Sequence, residues 1–337
     1  MASLLLSPSN GIGDHLSLSF PGSTTEFSGH RPSDVSILNS SKTQENAISS
    51  PCWSRSQLGK LPGESGSKRT FDQTVALDKL LIRPTKKPRL ASAGRKSLEL
   101  VCGSCYLPKP NGKYPKGQDA HFMCPIQSVI GVADGLGGFN KRGIDSGVYA
   151  RNLMFHAAKA TAEEPRGGAC PLRILKKAVS MTRAEGGSTA CIVAIQGHKI
   201  LAANVGDSGF LVIRNGEVAY RSPTQVRRFN SPLYLHADSC NHAQVLQVPV
   251  EAGDVIVAAT DGLFDNIFEE AMRDVINKGK KDGFGPEEIA ANLAGIAQKK
   301  SLNEKLESPY SKASREAGFH HVGGKEDDIT IIIANVC

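Results

Sequence analysis

No stretch of the 337-residue chain approaches the ~18 uncharged apolar residues that a membrane span needs, which excludes an integral membrane helix. Composition also excludes collagen-like and coiled-coil chains. Cysteine is sparse. The eight residues Cys52, Cys102, Cys105, Cys124, Cys170, Cys191, Cys240 and Cys337 are scattered, which excludes a disulfide scaffold and fits a reducing compartment. Cys102 and Cys105 form the only close pair, and no second CxxC or CxxH follows. Two small residues on an early strand are therefore a better reading than half a zinc site or a redox pair. The chain has no internal repeat, no GxSxG elbow and no CxxxxxR phosphate loop. The glycines of 131–138 lack GxGxxG spacing and the Lys-Ser/Thr of a P-loop. The nine histidines are dispersed, without HxxxH spacing beside an acid.

What is present divides the chain in two. Apolar residues make up 40% and charged residues 22%, enough for a globular core but lean, as if part of the chain does not fold. The net charge is +7, yet residues 1–98 carry +6 of it. The remainder is nearly neutral, so net charge gives little support to nucleic-acid binding. The first sixty or so residues are rich in Ser, Thr, Pro and Gly without a sustained period, a composition that cannot offset the entropy of ordering. We read 1–97 as a disordered leader and 98–337 as the folded domain. The Ser-rich start has no acid before Asp14 and resembles an organelle transit peptide, although it is short of arginine. The cluster Lys86-Lys87-Pro88-Arg89 reads either as a nuclear import signal or as solvated charge. Chloroplast or mitochondrion is the expected compartment, with the nucleus as the alternative.

From about Leu98 the pattern becomes strands, turns and a few helices. Strands are expected at 97–105, 120–123, 128–133, 189–195, 199–205, 209–213, 217–220, 244–248, 254–259 and 328–334. Asn215-Gly216 reads as a hairpin turn. Helices are expected at 146–162, capped by Asp145 or Ser146, and at 171–183, 265–277 and 286–299. Strands joined by hairpin-length turns imply antiparallel sheets. Helices in two consecutive pairs imply an α+β fold rather than a doubly wound parallel sheet.

Acids recur at the ends of apolar runs: Gln118-Asp119, Val132-Ala133-Asp134-Gly135, Gly206-Asp207-Ser208, Ala259-Thr260-Asp261-Gly262 and Glu326-Asp327-Asp328. One such Asp is ordinarily a turn former or cap; repetition changes the reading. Carboxylates are hard oxygen ligands that suit Mg²⁺ or Mn²⁺ and not zinc. Two such cations sharing a carboxylate activate water against phosphate esters. The residues thus point to metal-assisted phosphoryl chemistry.

The ordered set of residues 117–121, 131–138, 187–190, 204–208, 259–265 and 325–330 resembles the type 2C (metal-dependent, PPM) protein phosphatases across 98–337. Phe139, the 143–154 stretch and 228–232 are most similar to the compact organellar branch. The resemblance implies a β-sandwich flanked by helix pairs, with a metal centre in a cleft at one edge. It implies that Asp134 bridges two Mg²⁺ or Mn²⁺ ions, that Gly135 offers its carbonyl to the second, and that Asp261 and Asp327 hold the first. Asp119 would orient bound waters, and Asp207 and Asp265 would help form a weaker third site. It implies in-line attack of metal-activated water on phosphorus.

Two positions depart from the pattern. Gln118 stands where many relatives have a ligating Glu, and Leu136 where many have a His after Asp-Gly. The organellar branch also tends to lack that His. Lys113 and Lys116, beside Tyr114, either contact substrate phosphate or lie in a solvated loop. The expected function is a monomeric serine/threonine phosphatase acting on phosphorylated proteins, with no nucleic acid and no membrane span. Its rivals are a pseudophosphatase that binds a phosphoprotein without turnover, suggested by Gln118, and a nuclear adaptor, suggested by 86–89.

Overall fold

The computed structural model describes residues 98–337 apart from 111, 237–239 and 241. The 1–97 leader, the Ser-rich start and the basic cluster at 86–89 lie outside the described residues. Among the described residues twelve strands run as β1 Leu100–Leu107, β2 Asp119–Cys124, β3 Val129–Asp134, β4 Ala190–Gln196, β5 Lys199–Val205, β6 Gly209–Arg214, β7 Glu217–Arg221, β8 Val226–Arg228, β9 Ser231–Pro232, β10 Gln244–Pro249, β11 Val255–Ala259 and β12 Ile329–Val336. Six α-helices accompany them: α1 Ser146–Ala162, α2 Pro171–Met181, α3 Asp261–Phe264, α4 Glu269–Lys281, α5 Pro286–Ser301 and α6 Pro309–Glu316. One antiparallel sheet has the order β10-β5-β4-β3-β2 and the other β1-β12-β11-β6-β7, while β8 and β9 form a small hairpin of their own.

Alternation explains the layers. Along β12, Ile332 and Ala334 face the other sheet, where they meet Ile130, Val132 and Val193, with Phe210 and Ile256 of their own sheet beside them. Ile331 and Ile333 point the opposite way, against Met272, Ile276, Leu293 and Ala294 of α4 and α5. A strand buried on both faces reads as an unbroken apolar run, as 329–334 does. The outer face of the first sheet is covered by α1 and α2, whose Leu153, Ala157, Ile174 and Leu175 pack with Ala133, Ile192 and Ala203. The result is the expected α+β sandwich between helix pairs.

Period 2 also settles the Cys pair. Cys102 packs into the seam between the sheets and Cys105 into the helix side of β1. The two thiols project from opposite faces of one strand, so they are neither a redox pair nor a shared metal site. Burial pushes the Cys102 thiol up to about 12.

Local signals account for most element ends. Asp145 accepts from Gly147 N at the start of α1. Asn215 and Gly216 both have positive φ, +51° and +80°, and join β6 to β7. The helix expected at 171–183 stops at Met181 because Thr182 turns extended and its hydroxyl donates to Ala178 O. The helix expected at 265–277 is corrected. Residues 265–268 lie between α3 and α4, and Phe268 is extended with ψ 148°. Asn266 causes the break: its amide donates to Gly262 O and to Lys325 O, satisfying a carbonyl that a continuing helix would use.

Candidate metal centre

Strand register assembles the acids at one edge of the sandwich. Asp119 at the start of β2 pairs with Asp134 at the end of β3. In the second sheet Ala259 pairs with Ile331, so the segments just beyond β11 and just before β12 carry Asp261 and Asp327 to the same edge. Asp207 lies in the turn that carries the chain from β5 in one sheet to β6 in the other. One carboxylate oxygen each from Asp134, Asp207 and Asp261 lie within 4.8 Å of one another. Asp134, Gly135, Asp261, Asp327 and Lys325 line a cleft of about 580 Å³.

The surrounding motif residues hold this geometry. Thr189 N donates to Asp134 O at 2.8 Å, and Asp134 N donates back to Thr189 Oγ1 at 3.1 Å. Thr189 Oγ1 is also 2.6 Å from Ser208 Oγ, next to Asp207. Gly206, at φ +99°, leaves room for that contact; a Cβ there would come 2.6 Å from Thr189 Cγ2. Asp119 is only 3% exposed and sits behind the cleft. Its Oδ2 accepts from the hydroxyls of Thr260 and Thr330, each at 2.8 Å, which ties the first sheet to the second. Asp328 closes the loops, its carboxylate accepting from Lys109 N and Gln118 N at 2.7 Å each.

So many acids in one buried place cannot all be charged without a cation. Burial, followed by the neighbouring Asp328, holds Asp119 well above the usual carboxylate range. Burial and then Asp261 do the same for Asp134, and push Asp207 up to about 8. Burial raises Asp265 to about 6, with Lys325 pulling the other way. Three buried oxygens, Asp119 Oδ1, Asp207 Oδ1 and Asp261 Oδ1, have no hydrogen-bond partner. An all-oxygen donor set with orphaned buried acceptors fits a hard divalent cation.

The other expected residues fall in distinct places. Gln118 lines the cleft, but its amide is paired reciprocally with that of Asn140, each bond 3.2 Å long. Lys113 also lines the cleft and lies 3.4 Å from Asn140 O; Lys116 does not line it. Leu136 presents an apolar side chain to the cleft, which has no proton to give a leaving group. Asp265 bonds to Lys325 at 2.8 Å. Sequence reasoning missed the role of Lys325, whose ammonium reaches Asp261, Asp265 and Asp327. Its signal was a lysine directly preceding the acids of the last motif. Thr260 and Thr330 were missed too, because only register brings both hydroxyls onto one carboxylate.

A family model described as Stage II sporulation protein E (SpoIIE) matches residues 128–336. The chain is 40% identical over 286 residues to "Probable protein phosphatase 2C 55" of Arabidopsis thaliana, covering 84% of this chain and 60% of that one. It is 40% identical over 256 residues to "Probable protein phosphatase 2C 80" of the same plant, covering 74% of this chain and 62% of that one. The chain thus spans about three-fifths of the length of these two relatives. Among solved structures, the photosystem II phosphatase PBCP superposes with a TM-score of 0.63 at 30% identity, covering 71% of this chain and 99% of that one.

Proposed function

The chain belongs to the type 2C protein phosphatase family, and from that premise we propose that it hydrolyses phosphoserine and phosphothreonine in protein substrates with the help of Mg²⁺ or Mn²⁺. The observation that carries this reading is the convergence of Asp134, Asp207 and Asp261, one oxygen of each within 4.8 Å of the others, with buried oxygens of Asp207, Asp261 and neighbouring Asp119 left without a partner. In this reading Asp134, Asp261 and Asp327, with the carbonyl of Gly135, hold two divalent ions, and Asp119 braces the group from behind. Such ions, when bound, lower the pKa of water and neutralise charge on phosphoryl oxygens.

The chain's own residues do the rest. Thr189 fixes the backbone of Asp134 through both its N–H and its hydroxyl, so the central carboxylate is held before any ligand arrives. Lys113 faces the cleft and offers positive charge to an incoming phosphate. At the mouth, Phe139 meets Tyr234 edge-on, with Arg142 over the first ring and Arg227 over the second. Tyr234 and the 230–232 turn line the same cleft, giving a broad open wall suited to a peptide segment rather than a small enclosed ligand.

The test is hydrolysis of a phosphothreonine peptide by the purified full chain, titrated with Mn²⁺ and then Mg²⁺, with a chelator arm. Turnover should require the metal and should fall at least ~100-fold in Asp261→Asn, whose melting curve stays cooperative. Chelator-resistant turnover, or an Asp261→Asn variant as active as wild type, would overturn the assignment.

A further inference from the structure

Lys325 occupies an unusual position for a lysine. Its side chain is 16% exposed, and its ammonium is ion-paired with Asp261, with Asp265 Oδ2 at 2.8 Å and with Asp327 Oδ2 at 3.1 Å. The ring of Tyr310 lies on another side, 5.4 Å from Nζ to centroid. The backbone is clamped as well: Lys325 N donates to Asn266 Oδ1 at 2.9 Å, and Lys325 O accepts from Asn266 Nδ2 at 2.8 Å. Asn266 is itself fully buried and anchored to Gly262 O. The same residue that interrupts the helix between α3 and α4 therefore delivers this lysine to the acids.

The ammonium divides the carboxylates into two sets. Asp261 gives Oδ2 to Lys325 and keeps Oδ1 buried and unpartnered. Asp261 also offers one oxygen to the group it forms with Asp134 and Asp207. Asp265 spends its charge on the lysine. A tethered ammonium carries one positive charge, needs no uptake from solution and cannot be chelated.

We infer that Lys325 is a built-in cation that takes the place of a third divalent ion beside Asp261 and Asp265, so that the chain binds one ion fewer than its carboxylates could hold. The inference rests on the metal-dependent reading above. Asp265 then serves as a positioning residue for the lysine and not as an ion ligand.

The experiment counts ions rather than turnover. The full chain, stripped with a chelator and desalted, is titrated with Mn²⁺ by calorimetry, with electron paramagnetic resonance reporting the free ion. Lys325→Met should bind one Mn²⁺ more per chain than wild type, and Lys325→Arg should match wild type. Asp265→Asn should bind as many ions as wild type, because its partner is the lysine; this arm decides the matter if Lys325→Met does not fold. Equal counts in wild type and a folded Lys325→Met, or the loss of one ion in Asp265→Asn, would overturn the inference and leave the phosphatase reading standing. A wild-type chain that binds no Mn²⁺ would overturn both.

Discussion

Replacing Thr260 by valine keeps the shape of a fully buried side chain and removes one hydroxyl. That hydroxyl donates to Asp119 Oδ2 at 2.8 Å and accepts from Thr330 N at 3.1 Å. Losing a hydrogen bond to a carboxylate costs about 1.5–3 kcal/mol, and leaving a buried N–H without a partner costs about 1–3 kcal/mol. The two losses share one atom, so we expect about 3–5 kcal/mol together. At roughly 2–4 °C per kcal/mol for a domain of this size, the melting midpoint should fall by about 10 °C. Thr260→Ser supplies the reference: it keeps the hydroxyl and loses a methyl group worth about 1 kcal/mol, so its midpoint should fall by only about 3 °C. Both variants and the wild type would be melted by circular dichroism in chelator, which isolates the protein's own bonds. A valine variant that melts within about 2 °C of the serine variant would refute the claim that this hydroxyl braces Asp119.

Gln118→Glu should lower the Mn²⁺ concentration for half-saturation several-fold, measured by calorimetry. An unchanged titration would mean that residue 118 stays with Asn140 whatever its charge. The metal-free chain should lose stability as pH rises from about 4 to 8. Asp207, raised by burial to about 8, keeps its proton in the folded state through a range where the unfolded chain has lost it. Melting midpoints in chelator at pH 5 and pH 8 check the sign, and Asp207→Asn should flatten the slope. A slope unaltered by that substitution would show that Asp207 is not the source.

Much of the architecture was legible because burial on both faces leaves a mark in composition. The runs at 190–195 and 329–334 can only be interior strands, and Asn215-Gly216 prescribes its own turn. The small elements were not legible. Helix α6 consists mostly of polar residues and is held by a reciprocal Ser308–Ser311 cap, so no apolar period announces it. The break at 265–268 depends on Asn266 reaching a backbone 59 residues away, and no local propensity encodes that. At the centre, the recurrence of Asp at strand ends exposed Asp134, Asp207, Asp261 and Asp327. Their supports, Thr189, Thr260 and Thr330, are ordinary threonines at or beside strands until the register is known. Lys325 was visible as a letter in a motif, but its pairing with three acids needed the fold.

The bracing of Asp119 across the sandwich has a wider consequence. Asp119 and Asp134 belong to one sheet, whereas Asp261 and Asp327 flank strands of the other. The gap between the sheets therefore acts as a caliper, and the carboxylates are its jaws. Its setting is the thickness of the apolar layer, about 10 Å between sheets, filled by side chains such as Val132, Cys191, Phe210 and Ala258. A methyl group added or removed deep in that layer would reset the opening between oxygens that it never touches. Under the proposed metal-dependent reading, selectivity among ions of different radius would be set partly in the hydrocarbon filling, where a search for polar specificity determinants would not look.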